Sequence, residues 1–164
     1  MAYMDNTGLY IKVGTETAVP STGGEYVTTG ELREIELTLN LTAAAFPFGA
    51  TNYILNDNVF LPSGVRIQEV ETFVETAGAG ATATLDIGLM RTDRTTVTSA
   101  NGLIAAKTVA SMTTGEKAVI TAGGTFAGSL IGTTTANVNH ITARVNTANF
   151  TAGTIKIRIR YYRP

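Results

Sequence analysis

Residues 60–89 open with Phe60-Leu61-Pro62-Ser63-Gly64 and continue as Val65-Arg66-Ile67-Gln68-Glu69-Val70-Glu71-Thr72-Phe73-Val74-Glu75-Thr76. They pass through Ala77-Gly78-Ala79-Gly80 and return as Ala81-Thr82-Ala83-Thr84-Leu85-Asp86-Ile87-Gly88-Leu89. Pro62 fixes its φ and Gly64 tolerates positive φ, so the opening is a turn that launches a strand. Both long runs are rich in Val, Ile, Thr and Phe, and a short Gly/Ala loop joins them, which predicts an antiparallel hairpin. Thr82, Thr84 and Asp86 alternate with Ala83, Leu85 and Ile87, which predicts one wet face and one buried face. A hairpin with one apolar side needs further strands to cover it.

Outward from this stretch, the cleanest alternation is Leu32-Arg33-Glu34-Ile35-Glu36-Leu37-Thr38-Leu39-Asn40-Leu41. Ile35, Leu37, Leu39 and Leu41 share one face, and Glu34, Glu36, Thr38 and Asn40 share the other. The end of the chain mirrors it: Ile155, Ile157, Ile159 and Tyr161 form an apolar row, and Lys156, Arg158 and Arg160 a cationic one. An acidic row and a basic row of equal period suit neighbouring antiparallel strands, so residues 32–41 and 154–162 are expected to pair. Exposed ion pairs contribute less than ~1 kcal/mol each, so the rows would specify register more than supply stability.

The totals agree with an all-β chain. At 164 residues it fits one core that buries about 70% of the unfolded surface. Thr, Gly and Ala are abundant, and no helix of about ten residues can be drawn. Residues 43–58 and 91–96 read as loops, 103–109 and 116–121 as short strands, 122–128 as a flexible connection and 139–145 as a strand. About eight to ten short strands, with the early strand closing on the last, make an antiparallel β-sandwich of jelly-roll type. Residues 31–164 form that domain. Residues 1–30 contain Leu9-Tyr10-Ile11-Lys12-Val13 and form either a short edge strand or an extended arm that orders against a neighbouring subunit.

Charge and chemistry narrow the function. A net charge of −1 with 15% charged residues argues against nucleic acid. The opening residues lack a signal-peptide pattern and the longest apolar runs are short for a spanning helix, so a cytosol-made protein without a membrane partner is expected. The chain has no cysteine and one histidine, His140, read as a half-exposed strand residue. Asn56-Asp57-Asn58 and Asp93 are the loop candidates for calcium, without an EF-hand spacing. Glu69, Glu71 and Glu75 share a parity and read as a solvated face rather than a pair of catalytic acids, with a bulge or an outward-turned edge explaining how Val70, Phe73 and Val74 shift around them. No catalytic residue, cofactor, metal ligand or small-molecule substrate is expected.

Three patterns together resemble the jelly-roll head decoration (cement) proteins of tailed phages. They are Leu61-Pro62-Ser63-Gly64-Val65, Thr82-Ala83-Thr84-Leu85-Asp86-Ile87-Gly88, and Thr151-Ala152-Gly153-Thr154-Ile155 running on to Tyr162. The resemblance implies a virion protein on the phage head surface, made in the host cytoplasm, a homotrimer that clamps neighbouring copies of the major capsid protein. Candidate anchors for such contacts are Tyr3, Leu9, Tyr10 and Ile11 from the N-terminal segment and Phe46, Phe48 and Tyr53 from the irregular loop, the last three also able to cap the end of a sandwich. The alternative is a carbohydrate- or host-binding module of a head fibre or tail fibre, which the lack of Trp disfavours. A cupin-type enzyme would need two or three histidines.

Overall fold

The computed structural model describes residues 2–4, 10–12, 32–49 and 51–164. The chain separates into two units, Met1–Gly30 and Glu31–Pro164. In the first, β1 (Ala2–Met4) pairs antiparallel with β2 (Tyr10–Lys12), with Tyr3 opposite Ile11. Leu9 lies outside the described residues.

The second unit carries β3 (Arg33–Asn40), β4 (Tyr53–Ile54), β5 (Phe60–Leu61), β6 (Arg66–Ala79), β7 (Thr84–Arg91), β8 (Val97–Thr108), β9 (Lys117–Ile120), β10 (Asn139–Asn146) and β11 (Ala152–Tyr162). Sheet I has the order β3-β11-β6-β9; sheet II runs β4-β10-β7-β8, with β5 also on β10. Every pairing is antiparallel. Counting β4 and β5 as one broken strand, the chain crosses between the sheets in two Greek keys. This is the jelly-roll order.

The expected pairing of the early and last strands is present in register. Glu36 faces Arg158, Glu34 faces Arg160, and Ile35 faces Ile159. On the inner side, Leu37, Leu39, Ile155, Ile157 and Ile159 meet Leu85, Ile87, Leu89, Ile141, Ala143 and Val145 of sheet II, all buried. β6 does carry a bulge, but upstream of the expected place: Arg160 pairs with Glu69 and Tyr161 with Ile67, so Gln68 has no opposite residue, while Val70 to Val74 pair without a break and Phe73 simply faces out. That extra residue lets Ile67 and Val70 both point inward although their spacing is odd.

The hairpin expected across residues 65–89 is not there. β6 and β7 lie in different sheets, and each has both rims occupied, β6 by β11 and β9, β7 by β10 and β8. Residues 80–83 form a corner between layers, not a turn within one. Gly80 sits at φ 135°, and a Cβ there would come within 2.6 Å of Asn149 O. A tight turn and a tight corner both demand glycine, so local sequence does not separate them.

Nor does β7 have a wet face. Asp86 is buried and accepts hydrogen bonds from Arg144 Nη2 (2.7 Å), Asn146 Nδ2 (2.6 Å) and the Ala106 N–H (2.7 Å). Ala106 reaches it through a left-handed φ of 51° where β8 slips register against β7. Further along, β8 folds over β7 so closely that a Cβ on Gly88 would fall 2.1 Å from Ser99 O. His140, expected half-exposed, is buried, with the Phe60 ring 4.7 Å from its own.

Residues 122–128, expected as a flexible connection, are tied down. Phe126 O accepts from the Ala105 N–H at 2.9 Å, and Gly128 N–H donates to Leu103 O at 3.2 Å. The Phe126 ring lies 5.2 Å from Nζ of Lys107, a lysine with no exposed surface whose ammonium sits 3.1 Å from Glu116 Oε1.

The two buried sites should respond oppositely. Asp86→Ala strands an arginine, an amide and a backbone N–H, and is expected to cost about 3–5 kcal/mol in urea unfolding. Lys107→Met together with Glu116→Met replaces the whole desolvated pair by apolar side chains of similar volume, and is expected to be neutral or stabilising by up to about 4 kcal/mol, whereas Lys107→Met alone leaves the Glu116 carboxylate without its cation and is expected to destabilise.

Candidate interface

The outer face of sheet I is a lattice of charge laid down by the same alternation that builds the core. Across the strands one row reads Glu36, Arg158, Glu71, Val119, and the next reads Thr38, Lys156, Phe73, Lys117. Arg158 Nε donates to Glu36 Oε2 at 2.6 Å; Arg160 donates to Glu34 at 3.0 Å, to Glu69 at 2.6 Å and to Glu71 at 3.1 Å. Lys156 holds Glu75 at 2.7 Å. Glu71, expected on a solvated face with Glu69 and Glu75, is instead almost fully buried beneath its partners, with Lys117 Nζ at 3.2 Å and Arg158 Nη1 at 3.5 Å. One carboxylate thus serves three cations.

The ionisations follow from this geometry. The Arg158 hydrogen bond holds the Glu36 carboxyl below its ordinary value. Glu36 in turn raises Arg158, Glu34 and Glu69 raise Arg160, and Glu75 raises Lys156. In the β7–β8 turn, the Thr96 N–H and hydroxyl and the Thr95 N–H hold Asp93 well below the usual carboxylate range.

Phe73 and Val119 stand exposed within this lattice, 39% and 51% accessible. Glu71, Phe73, Lys117, Lys156 and Arg158 line a shallow hollow of about 300 Å³. Neither apolar residue stood out in the sequence. The signal for Phe73 was its parity: it falls in step with Glu69, Glu71 and Glu75.

The loop anchors divide. Phe46 is partly buried against the core and meets Tyr53 edge-on, ring centroids 6.0 Å apart. Tyr53 itself belongs to β4, opposite Ala143, so the expected loop of residues 43–58 contains a strand fragment. Phe48 is 53% exposed on a segment fixed by its own N–H to Asn149 Oδ1 at 2.6 Å. Tyr3, Tyr10 and Ile11 lie on the β1–β2 pair, in the other unit. The calcium candidates have other roles: Asp57 pairs with Arg94 at 3.2 Å across two loops, and Asp93 caps its own turn. Among the described residues, no three His, Cys, Asp or Glu side chains gather as a metal site would require.

No protein-family model and no curated protein matches this chain. Solved structures do. It is similar to a chain in the capsid asymmetric unit of cyanophage Pam1, with 20% identity and a TM-score of 0.58 over 93% of this chain and 98% of that one. It is similar also to a chain in the capsid of Ralstonia phage GP4, with 21% identity and a TM-score of 0.58 over 92% of each. At these identities the shared property is the fold, over nearly the whole length of all three chains.

The charge lattice makes a pH prediction. A carboxyl whose folded pKa is depressed adds stability above its unfolded pKa and loses it as pH falls through the folded value. The raised cations add stability that is lost only above about pH 10. Urea midpoints should therefore be flat around neutrality and fall towards about pH 3, and Glu36→Gln should flatten that acid limb. An acid limb identical in Glu36→Gln would remove this residue from the account.

Proposed function

We propose that this protein is a non-enzymatic virion structural protein, a decoration or cement protein that binds the shell of major capsid proteins on the phage head. The observation that carries the reading is the full-length likeness in fold to chains of two phage capsids. The surface supports the same reading: an exposed aromatic on a pinned loop, and apolar residues set in a charged lattice. Such a fastener acts through contact area, at least ~800 Å² per partner, with aromatic anchors inside a polar rim.

In this reading Phe46, Phe48 and Tyr53, and Tyr3, Leu9, Tyr10 and Ile11 of the N-terminal segment, are the anchors. A homotrimer multiplies each weak contact by avidity on a lattice of matching spacing.

The test is co-sedimentation of the purified protein with undecorated heads. The protein should pellet with heads in a saturable manner, and Phe48→Ala should weaken the apparent affinity by about tenfold. Heads that pellet without it at micromolar protein would remove the proposal, and reproducible hits on a glycan array would transfer it to host binding. Deleting residues 1–30 in the same assay tests the N-terminal anchors; unchanged co-sedimentation would dismiss them.

A further inference from the structure

A strand at the rim of a sheet leaves every second backbone N–H and C=O unpaired, a template for another strand. Sheet II manages its rims. β8 is covered by residues 126–130, through Phe126 O, the Gly128 N–H and the Leu130 N–H, and on the other side β4 and β5 are two residues each. Sheet I differs. Among the described residues, β3 pairs with β11 alone and β9 with β6 alone.

Backbone alternation says which groups are open. Leu41 N–H turns to Gly153 O at 2.8 Å, so Leu39, Leu37 and Ile35 also face β11, and Glu34, Glu36 and Thr38 present theirs outward, while Asn40 O accepts from the Thr42 N–H at 3.1 Å. Val74 N–H donates to Glu116 O at 2.9 Å, which places Ala118 and Ile120 towards β6 and leaves Lys117 and Val119 outward. The outward rows of the two rims differ in sign, Glu34 and Glu36 on β3 against Lys117 on β9, each of them also held within its own copy by Arg160, Arg158 and Glu71 respectively.

We propose that β9 of one copy pairs antiparallel with β3 of another, joining sheet I of successive copies head to tail in a closed ring. This deepens the trimeric reading above and rests on it. Three observations carry the pairing. First, sheet I has four alternating strands, so β3 and β9 run in opposite directions, and rotation about an axis along the strands brings them together antiparallel. Second, Thr38 and Lys117 stand in one row, so a level junction sets them opposite each other with Glu36 on the diagonal, within reach of a lysine. Third, two-fold pairing of like rims would set Glu34 and Glu36 against glutamates, or lysine near lysine, whereas the head-to-tail contact joins unlike charges. A heterologous contact of this kind closes into a ring when its rotation closes.

The chain has no cysteine, which makes the test clean. Light scattering on the purified protein should give a trimer, without heads present. Oxidising the double variant Thr38→Cys with Lys117→Cys, or Glu36→Cys with Lys117→Cys for a junction staggered by two residues, should yield covalent trimers on a non-reducing gel. The single variants should not. Thr38→Pro removes an outward donor that no strand within the copy uses, so it should keep the β signature in circular dichroism while raising the half-dissociation concentration at least ~10-fold.

A monomer at the highest soluble concentration overturns the pairing. So does a trimer in which both double variants stay uncrosslinked, and that result leaves shell binding standing. A trimer that crosslinks but does not pellet with heads supports the pairing and overturns the capsid role instead.

Discussion

The pairing of β3 with β11 is the constraint on which the rest of the sandwich depends. It places alternating Leu and Ile side chains on one side of both strands and alternating Glu, Lys and Arg on the other. A slip of one residue would turn Ile155, Ile157 and Ile159 out to water and push Lys156, Arg158 and Arg160 into the core. Each ion pair on the wet side is weak on its own, but a wrong register would lose all of them together with the burial of every isoleucine. Glu71 tightens the arrangement further, because a nearly buried carboxylate binds β11 and β9 to β6 from the middle of the sheet.

This explains what was legible beforehand. The two ends of the pair announced themselves through period and charge, which depend only on residue type. The β6 bulge was legible only in part: the mixture of Val70, Phe73 and Val74 among the glutamates asked for an irregularity, but the bulge lies upstream at Gln68 and Phe73 faces out on an unbroken stretch. The partner of β6 was not. Residues 77–83 carry the glycines of a turn, but whether a turn stays within a layer or crosses to another depends on which rims are already occupied, and those rims are filled by strands far away in sequence. Asp86 and His140 misled for a related reason. Polarity marks a water-facing side only when nothing folds over it, and the covering pieces, the slipped stretch of β8 and the Phe60 ring, carry no local mark of that task. Of the surface, Phe48 was visible as an aromatic in an irregular loop, while Phe73 and Val119 were hidden by their strand context.

Lys107 and Asp86 show how the interior tolerates charge. Asp86 meets three donors, so its burial fixes how β7, β8 and β10 lie against one another. Lys107 meets one carboxylate oxygen and one aromatic ring, and the second oxygen of Glu116 has no partner. The first is a fully subscribed site; the second is a specificity device at most, pinning residue 126 and its neighbours to the side of the sandwich.

The place of β11 also governs how the chain is made. It is the last strand, yet it lies inside sheet I, between β3 and β6, and its Arg158 meets a glutamate 122 positions earlier. During synthesis β3 therefore emerges with no partner, and sheet I stays split until β11 has left the ribosome. Native contacts of such long sequence separation form slowly. Until β11 inserts, the unclosed intermediate leaves the Leu and Ile row of β3 uncovered, which makes this strand insertion the step at which a nascent copy is most exposed to aggregation and to chaperones.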